Sequence, residues 1–550
     1  LVNHALARAK LSVERVEFGR QSGPFRGNEA QVTAAGTKPF YITTAIDYPN
    51  GAPHIGHSME KVAADVMARF HRLLGDDVAF TMGVDENSQH IVTAAKAAGD
   101  DVGPFTDAMD EVFRASWDAL NISRTSWVRT TEPRHAAASQ ELFVRAQANG
   151  DIYKSTYAGW YCPNCNNYYT EEDLVDGRCP NHPSITPEWL EEENYFFALS
   201  KYTDFLRNHI AEYPAFITPD TWRAEVLGLI DAGLRDFSVS RRVRPGSTPW
   251  GVAVPGDPEH VLYVWFDALT TYLTGIGFPD RDGEFDHYWP VDSHVIGKDI
   301  LRFHTLYWPA MLAAAGLPLP RRIAIHGFMT LEGKRISKTT GNVVSPIEVV
   351  NEFGADPVRY YLMRDLSFSS DGDFSRSKLI RRYNDDLGND LGNLLNRVVS
   401  MIGRYRGGVV PAPGVAEELE SDLRVVAENA RDRAAHHIDQ WELNDALEHI
   451  WLLVRRANQY LEARKPWMLA KDVANAALLD TTLYTAAEAT RLAALFLAPF
   501  IPDASDRIMA QLGLSPVADG DWERHGSWGG VAFGSVDPAG PLFPRIEVVE

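Results

Sequence analysis

Apolar and polar positions along the chain follow two regimes. From Pro39 onward, short aromatic and β-branched runs alternate with longer stretches of helical spacing. Residues 40–45 (Phe40-Tyr41-Ile42-Thr43-Thr44-Ala45) read as a strand. A turn cluster from Asp47 to Pro53 follows, and a helical pattern then runs from about His57 to Leu73. Val78 to Met82 read as a second strand leading into Gly83-Val84-Asp85. Strand, loop and helix in repetition predict a parallel α/β sheet, with ligands at the carboxyl ends of its strands. Residues from about 151 to 252 interrupt this pattern and contain a helix near Trp222 to Ala232. Sheet-like segments resume at Tyr263-Val264-Trp265, at His294 to Gly297 and at Arg322 to His326. After about Ser345 the apolar spacing becomes three and four, through segments starting near Ile347, Asp356, Ser377, Glu417, Trp441, Val473 and Asp503. That predicts an all-α module of four to five helices, with the Pro/Gly-rich stretch 406–413 as a loop inside it.

Length and charge bound this picture. The 550 residues call for several modules, and 45% hydrophobic with 23% charged residues is globular composition. A net charge of −21 argues against a general coat of nucleic-acid binding, but leaves room for a local basic stripe. The longest uncharged apolar stretch, Thr305 to Pro320, holds three prolines and is shorter than the ~20 residues that span a bilayer, so no membrane segment is expected. Residues 1–38 carry several basic side chains but no apolar run suited to a signal peptide, and read as a poorly ordered N-terminal extension.

Three short motifs carry chemistry. His54-Ile55-Gly56-His57 follows a strand and a turn at the start of a helix. Two imidazoles one turn apart at a helix N-terminus can hold a phosphate, and Gly56 lets a nucleotide approach the backbone. A surface turn or a metal pair would also fit that tetrapeptide alone. Gly333 to Asn342 is a glycine-flanked loop with Lys334, Arg335 and Lys338, able to close over a triphosphate or equally to remain a solvated basic loop. Its spacing is not that of a Walker loop. Cys162-Pro163-Asn164-Cys165 and Cys179-Pro180-Asn181-His182 form two knuckles that can wrap one tetrahedral Zn²⁺. All three cysteines of the chain take part, which fits a structural metal site in a reducing compartment rather than a disulfide framework.

The first two motifs, in this order, resemble the HIGH and KMSKS signatures of class I aminoacyl-tRNA synthetases, the second appearing as Arg335-Ile336-Ser337-Lys338-Thr339. A short insertion with a single zinc knuckle narrows the resemblance to the methionyl-tRNA synthetase family, over roughly residues 39–545. The segments 195–202, 234–241, 263–268 and 371–375 look like that family too. The resemblance implies a Rossmann-like sheet split by a connective insertion and followed by an anticodon-binding helix bundle. It places a first catalytic half at 39–150, the insertion at 151–252 and a second half at 253–326. A KMSKS-loop region at 327–389, the anticodon module at 390–535 and a tail at 536–550 complete the division.

Site residues follow from the same resemblance. His54, His57, Arg335 and Lys338 are implied as catalytic, with Gly56, Gly297, Asp299, Ser337 and Lys338 at ATP. Ala45, Ile46, Tyr48, Trp265, Ala268, Tyr272, Phe303 and His304 match a methionine pocket, and Asp85 its ammonium ligand. Without the family, core packing would be the reading for these aromatics. The family often has Asp-Glu-His-Gly where this chain has Asp85-Glu86-Asn87-Ser88. Asn393, Arg397 and Trp467 match anticodon readers. The implied activity is ATP-dependent charging of tRNA(Met) with methionine, assisted by Mg²⁺, in a cytoplasmic protein. A methionine-adenylating paralogue with another acceptor and a non-catalytic RNA-binding homologue are the rival readings. The chain closes soon after Pro541 to Arg545, which resembles the end of the helical module, so a monomer is expected.

Overall fold

The computed structural model describes residues 37–547, apart from 163–166, 181, 244–248, 281–282 and 337–342. The expectations for residues 1–36, Cys165, Ser337 and Lys338 therefore lie outside the described residues.

A six-stranded parallel sheet organises residues 39–326. Its strands are β1 (Pro39–Thr44), β2 (Asp77–Val84), β3 (Ser126–Arg129), β4 (Ile217–Thr218), β5 (Ser293–Gly297) and β6 (Ile323–His326), in the order β3-β2-β1-β5-β6-β4. β1 is buried along almost its whole length, as a central parallel strand covered on both faces must be. Its neighbours are β2 on one side and β5 on the other. The chain order reverses between β1 and β5, which opens a crevice at their carboxyl ends. Helix α1 (Ile55–Leu74) leaves that crevice and ends at Gly75, whose φ of 94° closes the helix in the left-handed region that glycine accepts without strain.

One sequence expectation is corrected. Tyr263-Val264-Trp265 is not a sheet segment: the strand is Asp257–Leu262, and Val264–Thr274 is a helix, α2. Tyr263 is extended and starts the helix, and every residue from Phe266 to Thr274 is buried. A helix buried all round shows no polar face, so its aromatic start imitates a strand.

Residues 151–252 contain a long antiparallel pair, Ile152–Cys162 with Glu188–Phe197, in register from Ile152↔Phe197 to Tyr161↔Glu188. Its root packs into the core behind the parallel sheet through Ile152, Tyr195 and Phe197, and its far end carries Cys162. The same stretch returns β4 to the sheet edge, pairing Ile217 with Ile323. After β6, Met329–Leu331 pairs with Lys334–Arg335 and with Gly372–Phe374, so the start of the basic loop is anchored on a small sheet.

The helical module follows, with α3 (Asn393–Arg406) and α4 (Leu443–Arg464) among its elements. Its core is continuous with that of α1. Arg359, fully buried, joins them: it pairs with Asp65 of α1 at 2.7 Å and donates to the carbonyls of Leu120, Pro499 and Phe500. Among the described residues, no helix is long and apolar enough to cross a membrane.

Candidate active site

A cleft of about 690 Å³ occupies the crevice between β1 and β5. That is room for a ligand of drug or nucleotide size. Ala45, Ile46, Tyr48, His54, Gly56, His57, Asp85, Trp265, Ala268, Tyr272, Gly297, Asp299 and His304 all line it. Ile336, first residue past the anchored end of the basic loop, lines it as well.

The two imidazoles are placed by helix capping. His54 is the N-cap of α1, with extended backbone, and its Nδ1 accepts from Gly56 N at 3.2 Å. His57 Nδ1 in turn accepts from His54 N at 3.1 Å. This is a capping box made of two rings rather than the usual Ser/Glu pair. His57 Nδ1 also faces the His54 carbonyl at 3.2 Å, so these contacts fix the place of its ring and not its tautomer; with Nδ1 accepting, each neutral ring carries its proton on Nε2, at the positive end of the helix dipole. The rings stand 3.9 Å apart. A Cβ on residue 56 would sit 2.8 Å from His54 Nδ1, so only glycine allows the ring to fold back over the turn.

The pocket wall is aromatic and its floor is His304, backed by the fully buried His294. Trp265 stacks on Phe303 at 3.8 Å and meets Tyr48 edge-on at 6.5 Å. Phe303 and His304 stand on a π-helical turn, Phe303–Tyr307, which re-aims them from the regular helical path. Burial pushes the His304 imidazole down to about 4. Its Nδ1 faces the Ile300 carbonyl at 3.0 Å, so Nε2 accepts from the Tyr272 hydroxyl at 2.7 Å. Burial, then His304, also pushes the His294 imidazole well below its ordinary value. Trp308 Nε1 donates to its Nε2 at 3.1 Å, and its Nδ1 donates to Thr43 at 2.7 Å. The floor is thus polarizable and uncharged, which suits a thioether and excludes a charged side chain.

Charge is concentrated on the opposite side. Asp85 is 1% exposed, and burial first, then the neighbouring Asp267, holds its carboxyl well above the usual carboxylate range. Tyr48 is hydrogen-bonded to it, and Asn87 N donates to its Oδ1 at 3.3 Å. Asn87, which replaces the imidazole of the family pattern, donates its amide to Asp267 at 2.7 Å and to the Thr130 carbonyl at 2.9 Å. A second group braces the loop after β1. Lys61 Nζ reaches Glu60 at 2.5 Å, the Ala45 carbonyl at 2.8 Å and Asp47 at 3.2 Å. Burial alone would lower the Lys61 ammonium, but Asp47 and Glu60 hold it up. Sequence reading named none of Asp47, Glu60, Lys61, Asn87 and Asp267 as site residues. Lys61 lies one turn beyond His57 and Asp267 is a charge inside an apolar helix, and both were signals available in the chain.

At the end of β5, a Cβ on residue 297 would lie 2.6 Å from Asp299 Oδ1, so Gly297 lets that carboxylate cross the strand end. The backbone of Arg335 belongs to the small sheet beside the cleft.

Two further groups lie away from the cleft. Cys162 and Cys179 are buried, and their Sγ atoms lie 4.0 and 3.8 Å from His182 Nδ1. The three donor atoms fall within 4.8 Å of one another. Such separations fit ligands around one tetrahedral ion with bonds of ~2.0–2.3 Å. In the helical module, Arg397 lies 5.6 Å from the centre of the Trp467 ring and pairs with Glu462 at 2.7 Å. Asn393 is exposed one turn before Arg397 on α3. Lys465, at φ 47°, ends α4 in the left-handed region, and Pro466 restarts the chain so that Trp467 stands beside α3.

Residues 40–186 and 182–399 match the family model described as tRNA synthetases class I (M), and residues 410–528 match the anticodon binding domain of methionyl tRNA ligase. The methionine–tRNA ligase of Caldanaerobacter subterraneus subsp. tengcongensis is 44% identical over 93% of this chain and 79% of its own. That of Mycobacterium tuberculosis (strain H37Rv) is 45% identical over 87% of this chain and 93% of its own. The structure of Mycobacterium tuberculosis methionyl-tRNA synthetase in complex with methionyl-adenylate superposes with a TM-score of 0.88 at 43% identity, covering 92% of this chain and 100% of that one. Its free state superposes at 0.82.

Proposed function

The chain belongs to the methionyl-tRNA synthetase family, and from that premise we propose how its own residues carry the reaction. Its activity is methionine–tRNA ligation: methionine and ATP give methionyl-adenylate and pyrophosphate, and methionine then passes to the 3′-terminal adenosine of tRNA(Met). The observation that carries the assignment of roles is one cleft lined by paired imidazoles, a buried carboxylate and an aromatic pocket.

Methionine lies with its thioether among Ala45, Ile46, Tyr48, Trp265, Ala268, Tyr272, Phe303 and His304. Its ammonium pairs with Asp85, a charge-assisted hydrogen bond in a buried setting. ATP lies over Gly56, Gly297 and Asp299, with Ser337 and Lys338 closing on the phosphates. The methionine carboxylate attacks the α-phosphorus in line, and the bond to pyrophosphate breaks. His54 and His57 donate from Nε2 to the oxygens of the transferring phosphate, while Arg335 and Lys338 offset charge on the leaving pyrophosphate. Mg²⁺ bound with ATP supplies further charge neutralisation. No protein side chain forms a bond to substrate; positioning and electrostatics suffice. A terminal ribose hydroxyl of the tRNA, the 2′-OH by family resemblance, then attacks the adenylate.

In the helical module, the Trp467 face and the edges of Asn393 and Arg397 receive unpaired anticodon bases. Trp467→Ala is expected to leave methionine-dependent ATP–pyrophosphate exchange intact and to lower tRNA charging by roughly 10-fold or more, on the ~1–3 kcal/mol of one stacked base. Equal loss of both activities would contradict the role. Cys162, Cys165, Cys179 and His182 would hold one Zn²⁺, which with four protein ligands is structural. Metal analysis of the purified protein is expected to give one zinc per chain, and none or two would overturn the ligand set. We place the protein in the cytoplasm as a monomer; elution at twice the monomer mass in light scattering would exclude the latter.

A further inference from the structure

We propose that Asp267 is a positioning residue for the methionine ammonium, holding Asp85 in place through Asn87 and adding a second negative charge behind it. The inference rests on the reading of Asp85 as the ammonium ligand and extends it to a residue that does not line the cleft.

Asp267 is fully buried in the first turn of α2, between the cleft residues Trp265 and Ala268. Both of its oxygens are engaged. Oδ1 accepts from His135 Nε2 at 2.9 Å and from Ser139 at 3.1 Å. Oδ2 accepts from the Asn87 amide at 2.7 Å. The backbone N–H of the same Asn87 donates to Asp85. One residue therefore links the two carboxylates, and Thr130 fixes its amide from the other side. Among the described residues, no lysine or arginine forms an ion pair with Asp267; His135 is a hydrogen-bond partner that carries charge only when protonated.

Two buried carboxylates in each other's field, with so little cationic compensation, are costly in the empty site. A cation placed against Asp85 relieves both. The cation that this reaction brings is the substrate ammonium. A purely architectural role, in which Asp267 anchors α2 to the helix carrying His135, would need the hydrogen bonds but not the charge.

The test uses L-methioninol, which keeps the side chain and ammonium and lacks the carboxylate, so binding is read apart from catalysis. Titration calorimetry would compare the unmodified protein with Asp267→Asn, Asn87→Ala and Asp85→Asn. The expected result is at least a ~10-fold weaker methioninol affinity in Asp267→Asn, a charge removed without change of shape. The methionine KM in pyrophosphate exchange should rise in parallel, with kcat and the ATP KM nearly unchanged. Methioninol affinity unchanged in Asp267→Asn but lost in Asp85→Asn would overturn the inference alone. Affinity unchanged in both would overturn the reading of Asp85 as well. If Asp267→Asn does not fold, Asn87→Ala decides: a raised methionine KM at constant kcat supports the link, and an unchanged KM refutes it.

Discussion

His57→Ala is expected to slow methionine-dependent ATP–pyrophosphate exchange by about 10²–10³-fold, the usual cost of removing one preorganised donor to a developing oxyanion. Methionine affinity should stay nearly constant, because the proposed role puts the ring at the phosphate and not at the amino acid. His57 Nδ1 is held against the His54 backbone, accepting from its N–H at 3.1 Å, and in the proposed role Nε2–H is the donor to the transferring phosphate. The same substitution removes half of a capping box, which costs about 1 kcal/mol of helix stability. A thermal melt separates that loss from the catalytic one. His57→Asn, which can present an N–H without the ring, should recover part of the rate. An unchanged exchange rate, or a loss carried entirely by methionine KM, would remove the assigned role.

Asp85→Asn should raise the methionine KM by about 10²–10³-fold, on the ~2–5 kcal/mol cost of truncating one member of a buried charge pair. The pH dependence follows from the direction of the Asp85 shift. Burial, with Asp267 beside it, raises its carboxyl above the usual range. In the proposed role the ammonium pairs with the ionised form. Methionine affinity should therefore increase as pH rises through that elevated value and level off above it, with a proton released on binding. In the ligand-free protein the sign is opposite. A carboxyl whose folded pKa is raised is most compatible with the fold when protonated, so stability falls as pH rises from the ordinary value of ~3.9 towards the folded one. Ligand-free Asp85→Asn should then melt higher than the unmodified protein at neutral pH, although it binds methionine poorly. Calorimetry at several pH values and a melting series check both parts. A pH-independent affinity, or a variant less stable than the parent, would contradict the account.

The fold and the site were legible in the sequence to different degrees. The placement of His54, Gly56 and His57 at a helix start could be read because one tetrapeptide carries both the cap and the close approach. The gathering of Cys162, Cys179 and His182 could be read because short knuckle spacings leave their donor atoms little room to separate. The helix at Val264–Thr274 was misread because complete burial erases the periodicity on which such reading depends. β4 is only two residues long and is defined by pairing with β6, more than a hundred positions away. The network behind Asp85 was hidden for the same reason. Asn87 meets Asp267 across 180 residues, and His135 meets it across 132. Local patterns announce residues that act within one turn or loop. Long-range polar networks appear only once the sheet order brings their members together.

The measurement that bears most directly on the central claim is amino-acid-dependent ATP–pyrophosphate exchange across all twenty amino acids, with charging of tRNA(Met) in parallel. The account predicts exchange with methionine alone, and charging. Exchange with methionine but no charging would point to an adenylating protein with another acceptor. Absence of exchange with every amino acid, from folded protein, would contradict the assignment of this cleft as the site of adenylate formation.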